Sequence, residues 1–272
     1  MANILEEIMT QKRSEVKRRQ AERPLSSLND SPYYDRDRLS LRSAIEGSDD
    51  FGIIAEFKRR SPSQKDINLG ADPQQVAAGY QRAGVAGMSV LTDELFFGAK
   101  PNDFAQVRKT VEIPLLRKDF VWHEYQIFEA RSMGADAVLL IAACLEPNQL
   151  HELAIAAKEN ELDVLCELHT AEELKHINDA VDIVGVNNRA LKNFTEDIGH
   201  SRRLIDQIPP QFLPISESSI DDPDQVLDLR RVGYKGYLIG TYFMRHPDPG
   251  SACSRFITTL HEKARDPKES QS

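Results

Sequence analysis

The chain has 272 residues, with 40% hydrophobic and 28% charged residues and a formal net charge of −9. This is the balance of an ordinary soluble chain, long enough for one α/β barrel, and no stretch approaches the apolar length of a membrane span. The acidic charge argues against a nucleic-acid surface, and an anionic substrate would have to meet locally concentrated positive charge.

Residues 1–46 read as an N-terminal helical extension: Ile4, Leu5, Ile8 and Met9 recur on one helical face, and Arg36–Glu46 has the pattern of a second helix. The extension is either an arm packed on the next domain or a wall over a substrate mouth. The N-terminus is charged from Glu6 onward without an apolar core, so no signal peptide is expected. Over 47–264 the pattern changes to short apolar runs that alternate with helical segments. Strands are predicted at 51–57, 86–91, 114–117, 136–141, 163–167, 183–186, 212–215 and 236–239. Helices are predicted near 72–83, 101–110, 123–133, 146–160, 170–179, 198–207, 222–231 and 248–264. Asp72-Pro73, Glu146-Pro147 and Asp222-Pro223 place an acid before an N1 proline, and Gly134 and Gly233 follow helices as C-terminal caps. Residues 265–272 form a polar tail. Eight strand–helix units of uneven length point to an α/β fold, a (β/α)8 TIM barrel with an N-terminal helical extension, and not to a solenoid.

The apolar runs end on polar residues. A strand of a closed parallel barrel is covered on both faces, and charges at its end are costly unless they line a shared wet cavity. Side chains alternate along a strand, so Glu56 and Lys58 share a face with Ile54, Lys118 with Leu116, Glu167 with Leu165, Asn187 and Arg189 with Gly185, and Glu217 with Ile215. One choice of parity turns all seven charged or amide groups toward the barrel axis, at the mouth where such folds carry their active sites. Cys166 takes the opposite face and is expected in the helix-side core.

The last two loops, Glu217-Ser218-Ser219-Ile220 and Gly240-Thr241, offer hydroxyls, backbone N–H groups and a glycine where barrels often hold phosphate. The plainer alternative makes Ser219 the N-cap of the next helix. The seven histidines show no metal-ligand spacing, so no metal site is expected. His169, two residues past Glu167, is either a mouth-facing residue or, the favoured reading, a surface histidine, and Trp122 is as compatible with packing as with an aromatic ligand. No dinucleotide fingerprint follows the first strand. Cys144, Cys166 and Cys253 lack metal spacing and read as reduced thiols of a cytoplasmic protein.

EFKRRSPS at 56–63, SVLTDELFFGA at 89–99, LLRKDF at 115–120, GADAVLLIAA at 134–143, GVNNRAL at 185–191, SES at 216–218 and LIGT at 238–241 together resemble the indole-3-glycerol phosphate synthase family. The resemblance implies a (β/α)8 enzyme of tryptophan biosynthesis. Such an enzyme turns 1-(2-carboxyphenylamino)-1-deoxyribulose 5-phosphate into indole-3-glycerol phosphate, releasing carbon dioxide and water without cofactor or metal. It implies that Lys118 protonates the carbonyl oxygen, that Lys58 sits near the substrate carboxylate, and that Glu167 moves protons in ring closure and dehydration. It further implies that Glu56 and Glu217 fix the lysines and substrate hydroxyls, that Asn187 and Arg189 orient substrate, that Ser218, Gly240 and Thr241 cradle phosphate, and that Ser61 lies beside substrate. Ser219, placed with that cradle, stands where the family usually has glycine, and Thr241 where it has serine. Two rival readings are an isomerase or a Schiff-base aldolase using Lys118, and a catalytically dead barrel kept to bind a phospho-ligand. Oligomeric state is not legible.

Overall fold

The computed structural model describes residues 4–48, 51–190 and 195–265. Leu191 of the GVNNRAL segment and residues 266–272 of the expected tail lie outside the described residues. Three helices precede the first strand: α1 (Ile4–Glu22), α2 (Leu25–Leu28) and α3 (Leu41–Glu46). Helix α3 is shorter than the expected Arg36–Glu46 because Ser40 caps it, its Oγ accepting the Ser43 N–H at 3.0 Å. Upstream, Arg36 is bonded to the Asp136 carboxylate and Arg38 to the Tyr34 carbonyl at 2.8 Å, and residues 36–40 form a bend and irregular chain instead of helix.

The strands are β1 (Ile53–Phe57), β2 (Gly87–Leu91), β3 (Leu115–Lys118), β4 (Ala137–Ile141), β5 (Asp163–Leu168), β6 (Ile183–Asn187), β7 (Leu213–Glu217) and β8 (Gly236–Ile239). Each pairs in parallel with the next, and β8 returns to β1 with Leu238 opposite Ile54, closing the barrel. The first strand starts two residues later than expected, because Phe51 and Gly52 adopt left-handed φ of 65° and 64°. The connecting helices are α4 (Pro73–Arg82), α5 (Glu94–Phe97), α6 (Asp103–Thr110), α7 (Tyr125–Met133), α8 (Pro147–Glu159), α9 (Gly199–Leu204), α10 (Pro223–Arg231), α11 (Thr241–Met244) and α12 (Pro249–Arg265).

The predicted helix at 170–179 is instead a 3-10 stretch, Ala171–His176, which begins at Thr170 without a side-chain cap. The helix expected at 198–207 divides into α9 and a 3-10 turn, Ile205–Gln207. Helices α5 and α11 are one turn long, too short to show a hydrophobic period. Asp72 caps α4 through the Gln74 and Gln75 N–H groups, each at 2.9 Å. Asp222 forms a capping box with Gln225, whereas Glu146 makes no capping bond. Gly134 ends α7 at φ 81°.

Strand alternation separates two apolar shells. Ile54, Leu116, Leu139, Leu165, Ile183, Ile215 and Leu238 fill the barrel, joined by Ile8, Met9 and Leu41 of the extension. Ile53, Ala55, Phe57, Val138, Leu140, Val164 and Cys166 face the helix layer, where Cys166 was expected. Helices α4 and α12 close the ring at backbone contact: a Cβ on Gly79 would lie 2.7 Å from the Gly250 Cα. Among the described residues no helix is long and apolar enough to cross a membrane.

Candidate active site

The inward parity of seven residues at five strand ends brings their side chains into one cavity of about 110 Å³ at the barrel mouth. Glu56, Lys58, Ser61, Lys118, Glu167, Asn187, Arg189, Glu217 and Ser218 line it. Its apolar wall is Phe97, Phe120 and Ile141, together with Ile4, Leu5 and Ile8 of α1, so the stripe on that helix covers the mouth. A second chamber of about 90 Å³ shares Glu56, Lys58, Arg189 and Ser218 and adds Ser219, Gly240 and Thr241. All twelve positions singled out in the sequence therefore border two adjoining spaces.

Two lysines stand in this cavity with different partners. Lys58 Nζ donates to Glu56 Oε1 at 2.7 Å. Lys118 Nζ lies between two carboxyls, 2.9 Å from Glu167 Oε2 and 2.5 Å from Glu217 Oε2. Burial opposes the Lys118 charge, but Glu167, Glu217 and Glu56 outweigh it and hold the ammonium well above the usual lysine range. Burial likewise opposes charge on Glu56, which Lys58, Lys118 and Arg189 nevertheless keep below the usual carboxylate range.

Glu167 and Glu217 share the same ammonium yet move in opposite directions. For Glu167, burial is outweighed by Lys118 and by His169, and its carboxyl falls to about 2. For Glu217, burial dominates, Lys118 offsets part of it, and repulsion from Glu167 adds to it, so its carboxyl rises to about 8. The asymmetry has a geometric cause. His169 Nε2 approaches Glu167 Oε1 at 3.4 Å, whereas Glu217 Oε1 has no hydrogen-bond partner among the described residues. Glu217 also presses on the bare backbone of Gly185, where a Cβ would come within 2.0 Å of Oε1. The cluster thus favours charge on Lys118 and Glu167 and disfavours it on Glu217.

The second chamber is lined by Ser218 and Ser219 after β7 and by Gly240 and Thr241 at the start of α11. Gly240 precedes α11, whose first N–H groups have no partner inside the helix and point outward. Gly240 has φ −122°, so it is not glycine for its dihedral; a Cβ there would meet Glu56 Oε1 at 2.4 Å. Ser218 and Ser219 both adopt left-handed φ, 67° and 60°. Ser219 does not cap α10, whose N-cap is Asp222, and its buried Oγ has no hydrogen-bond partner among the described residues. The residue that replaces glycine therefore sits at a backbone angle that favours glycine. Asn187 Oδ1 accepts the Arg189 N–H at 3.0 Å, and the Arg189 guanidinium is held by Glu196, with Nε 3.0 Å from Oε1.

Three features escaped sequence reading. Lys12 of α1 is only 1% exposed, with Nζ 2.8 Å from Asp93, 2.9 Å from Asp119 and 3.0 Å from Glu15. Asp119, which follows Lys118, also binds Arg117 at 2.9 Å, and Lys12 and Arg117 hold its carboxyl far below the usual range despite burial. This buried network ties α1 to the loops after β2 and β3; its only signal was a lysine one turn beyond the apolar stripe. His169 is not the expected surface residue: its side chain is 5% exposed and lies against Glu167. Arg245, stacked on Tyr242 at 4.8 Å, brings a further cation to the second chamber. Trp122 does not line the cavity; Arg13 of α1 packs over its ring at 5.6 Å.

The family model described as indole-3-glycerol phosphate synthase matches residues 5–256, nearly the whole chain. The chain belongs to the indole-3-glycerol phosphate synthase family. It is 43% identical over 260 residues to the indole-3-glycerol phosphate synthase of Bacteroides thetaiotaomicron, covering 96% of this chain and 100% of that one. It is 43% identical over 256 residues to that of Salinibacter ruber, covering 93% and 94% of the two chains. Among solved structures it resembles 3-hexulose-6-phosphate synthase from Salmonella typhimurium, with a TM-score of 0.60 and 12% identity over 78% of this chain and 99% of that one. It also resembles a tryptophan synthase α-subunit variant from Pyrococcus furiosus, with a TM-score of 0.57 and 14% identity over 78% and 98%. These two share the barrel fold with this family member.

Two outcomes follow from the site's strain and charge. Replacing Ser219 with Gly removes a left-handed side chain and an unpaired buried hydroxyl, and is expected to raise stability by about 0.5–1 kcal/mol after the added chain entropy. A lower melting temperature for that variant would contradict the strain. Glu217 ordinarily titrates near 4.5 and is raised to about 8 in the fold, so between these values the native state binds more protons than the unfolded chain. Its contribution is full below the lower value, declines as pH rises through the window and is gone above the upper one. Denaturant midpoints of the wild type, relative to Glu217→Gln, should therefore fall as pH rises through that window; a flat difference would place the proton elsewhere.

Proposed function

We propose that this chain catalyses ring closure, decarboxylation and dehydration of 1-(2-carboxyphenylamino)-1-deoxyribulose 5-phosphate to indole-3-glycerol phosphate, a carboxy-lyase step of tryptophan biosynthesis. The observation that carries the reading is the Lys118 ammonium held between Glu167 and Glu217 inside an apolar-walled cavity that adjoins a donor-lined chamber. Membership of the family supports it.

In this reading the substrate phosphate occupies the chamber of Ser218, Ser219, Gly240 and Thr241, and the carboxyphenyl ring lies against Phe97, Phe120 and the α1 stripe. The ring carbon attacks the ketone while Lys118 protonates the carbonyl oxygen. An ammonium aimed at a developing alkoxide supplies both charge and proton. Lys58, steadied by Glu56, holds the substrate carboxylate until it leaves as carbon dioxide. Glu167 then takes the proton released as the hydroxyl departs. Asn187, Arg189 and Ser61 orient the substrate, and neutral Glu217 can donate to one of its hydroxyls. A Schiff-base lysine must be neutral; two carboxyls against Lys118 favour the acid instead.

Residues 1–46 serve as the wall of the mouth and 47–264 as the catalytic barrel, a division supported by the α1 residues in the cavity lining. The unpaired thiols of Cys144, Cys166 and Cys253 support a cytoplasmic setting.

The test is direct. Purified protein given the carboxyphenylamino-deoxyribulose phosphate should produce an indole absorbance, with one carbon dioxide per indole; none of either would end the proposal. Lys118→Met keeps the aliphatic stem without the acid and should lose about 10²–10⁴ in turnover. Glu167→Gln should lose a comparable factor, whereas Lys58→Met should also raise the Michaelis constant because it contacts a ground-state carboxylate. A Lys118→Met enzyme retaining more than roughly a tenth of wild-type turnover would move the acid role to Lys58.

A further inference from the structure

Glu167 faces two ways. Its Oε2 is 2.9 Å from Lys118 in the cavity, and its Oε1 is 3.4 Å from His169 Nε2 on the side away from it. On the far edge of that imidazole, Nδ1 lies 3.9 Å from Glu173 Oε2. The same Glu173 oxygen accepts the His169 backbone N–H at 2.6 Å, which fixes the carboxylate beside the ring. Exposure rises outward along this row: the side chains of Glu167, His169 and Glu173 are 4%, 5% and 15% exposed. Neither ring nitrogen of His169 has a hydrogen-bond partner among the described residues, although the ring is buried. A buried imidazole between two carboxylates with both nitrogens unspent is placed to receive and pass a proton.

The proposed reaction, on which this inference rests, creates a demand for such a path. The substrate carboxylate leaves as neutral carbon dioxide when its C–C bond breaks and the electron pair returns to the ring. One proton goes to the carbonyl oxygen in ring closure, and a second goes to the resulting hydroxyl as its C–O bond breaks and water leaves. One proton returns when the neighbouring C–H bond supplies the pair for the new double bond. Two are consumed and one is released, so each turnover draws one proton from solvent into a site whose lysine and glutamates are largely buried.

We propose that His169 is a positioning and relay residue, carrying protons between solvent-facing Glu173 and Glu167 so that the buried site regains its protonation state after each turnover. The groups facing it among the described residues are Glu167 of β5, Glu173 of the 3-10 stretch and His200 of α9, whose ring lies against the His169 backbone; Lys118 and Glu217 stand beyond Glu167. Apo distances of this kind tighten when substrate closes a site, and water can bridge the longer one.

The test compares wild type, His169→Asn and Glu173→Gln in single-turnover and steady-state assays, at low buffer concentration and with added imidazole. Asparagine fills part of the space without carrying a proton; the glutamine variant changes a more exposed residue and keeps an acceptor for the backbone N–H. Glu173→Gln, which leaves the His169–Glu167 contact in place, should make the first indole at close to the wild-type rate, and His169→Asn, which removes that contact, should slow the first indole less than it slows steady-state turnover. Their steady-state turnover should fall about ten-fold, less than the ~10²–10⁴ of a lost acid or base because water can substitute in part. Imidazole should restore that turnover in proportion to its concentration, with the Michaelis constant unchanged. The relay is overturned if steady-state turnover is unaltered in both variants. It is equally overturned if single- and multiple-turnover rates fall together without response to imidazole, which is the mark of a structural role. Wild-type protein inactive on this substrate would instead sink the reaction assigned to the barrel, a separable result.

Discussion

An ammonium at the inner end of a barrel strand is unstable there unless negative charge meets it, and two carboxylates meeting one ammonium repel each other unless one takes up a proton. Lys118, Glu167 and Glu217 satisfy both conditions at once. The rest of the site is arranged around that balance. Gly185 leaves room for Glu217, His169 favours charge on Glu167, and Gly240 lets Glu56 pass to Lys58. A closed barrel supplies this arrangement because every strand delivers its last inward residue to one mouth.

The extension completes the cavity in a different way. Apolar side chains from α1 roof the mouth, but a greasy stripe alone would leave the helix free to slide along the strand ends. The buried Lys12 pairs with Asp93 and Asp119, and Asp119 pairs with Arg117, so the roof is pinned to the end of β3 that carries Lys118. Removing one partner from such a buried network strands the others without compensation, typically at about 3–5 kcal/mol. The roof and the catalytic strand ends are therefore held by one set of charges.

Much of the fold was legible because parallel strands are apolar on both faces and parity is strict. Phe57 and Glu167 show the rule from opposite sides: the first faces helices, the second the axis, and each follows from counting by two. What parity could not reach was contact between distant segments. Lys12 and Asp119 are separated by most of the first three units, and nothing local marks either as buried. His169 follows the inward parity of Glu167, but its burial depends on the 3-10 stretch that folds back over it. The left-handed angles at Ser218 and Ser219 were likewise hidden, since serine does not announce them as glycine does. Sequence reading therefore found the positions around the cavity better than the forces that hold them.

The charge state of Lys118 tests this account most directly. In protein labelled with 15N at lysine side chains, the Lys118 resonance can be assigned by its loss in Lys118→Met and followed with pH. The account predicts an ammonium signal that persists past about 10.4, where exposed lysines are half neutral. A neutral Lys118 amine near pH 8 would contradict it, removing the proton donor and returning Schiff-base chemistry to the barrel mouth.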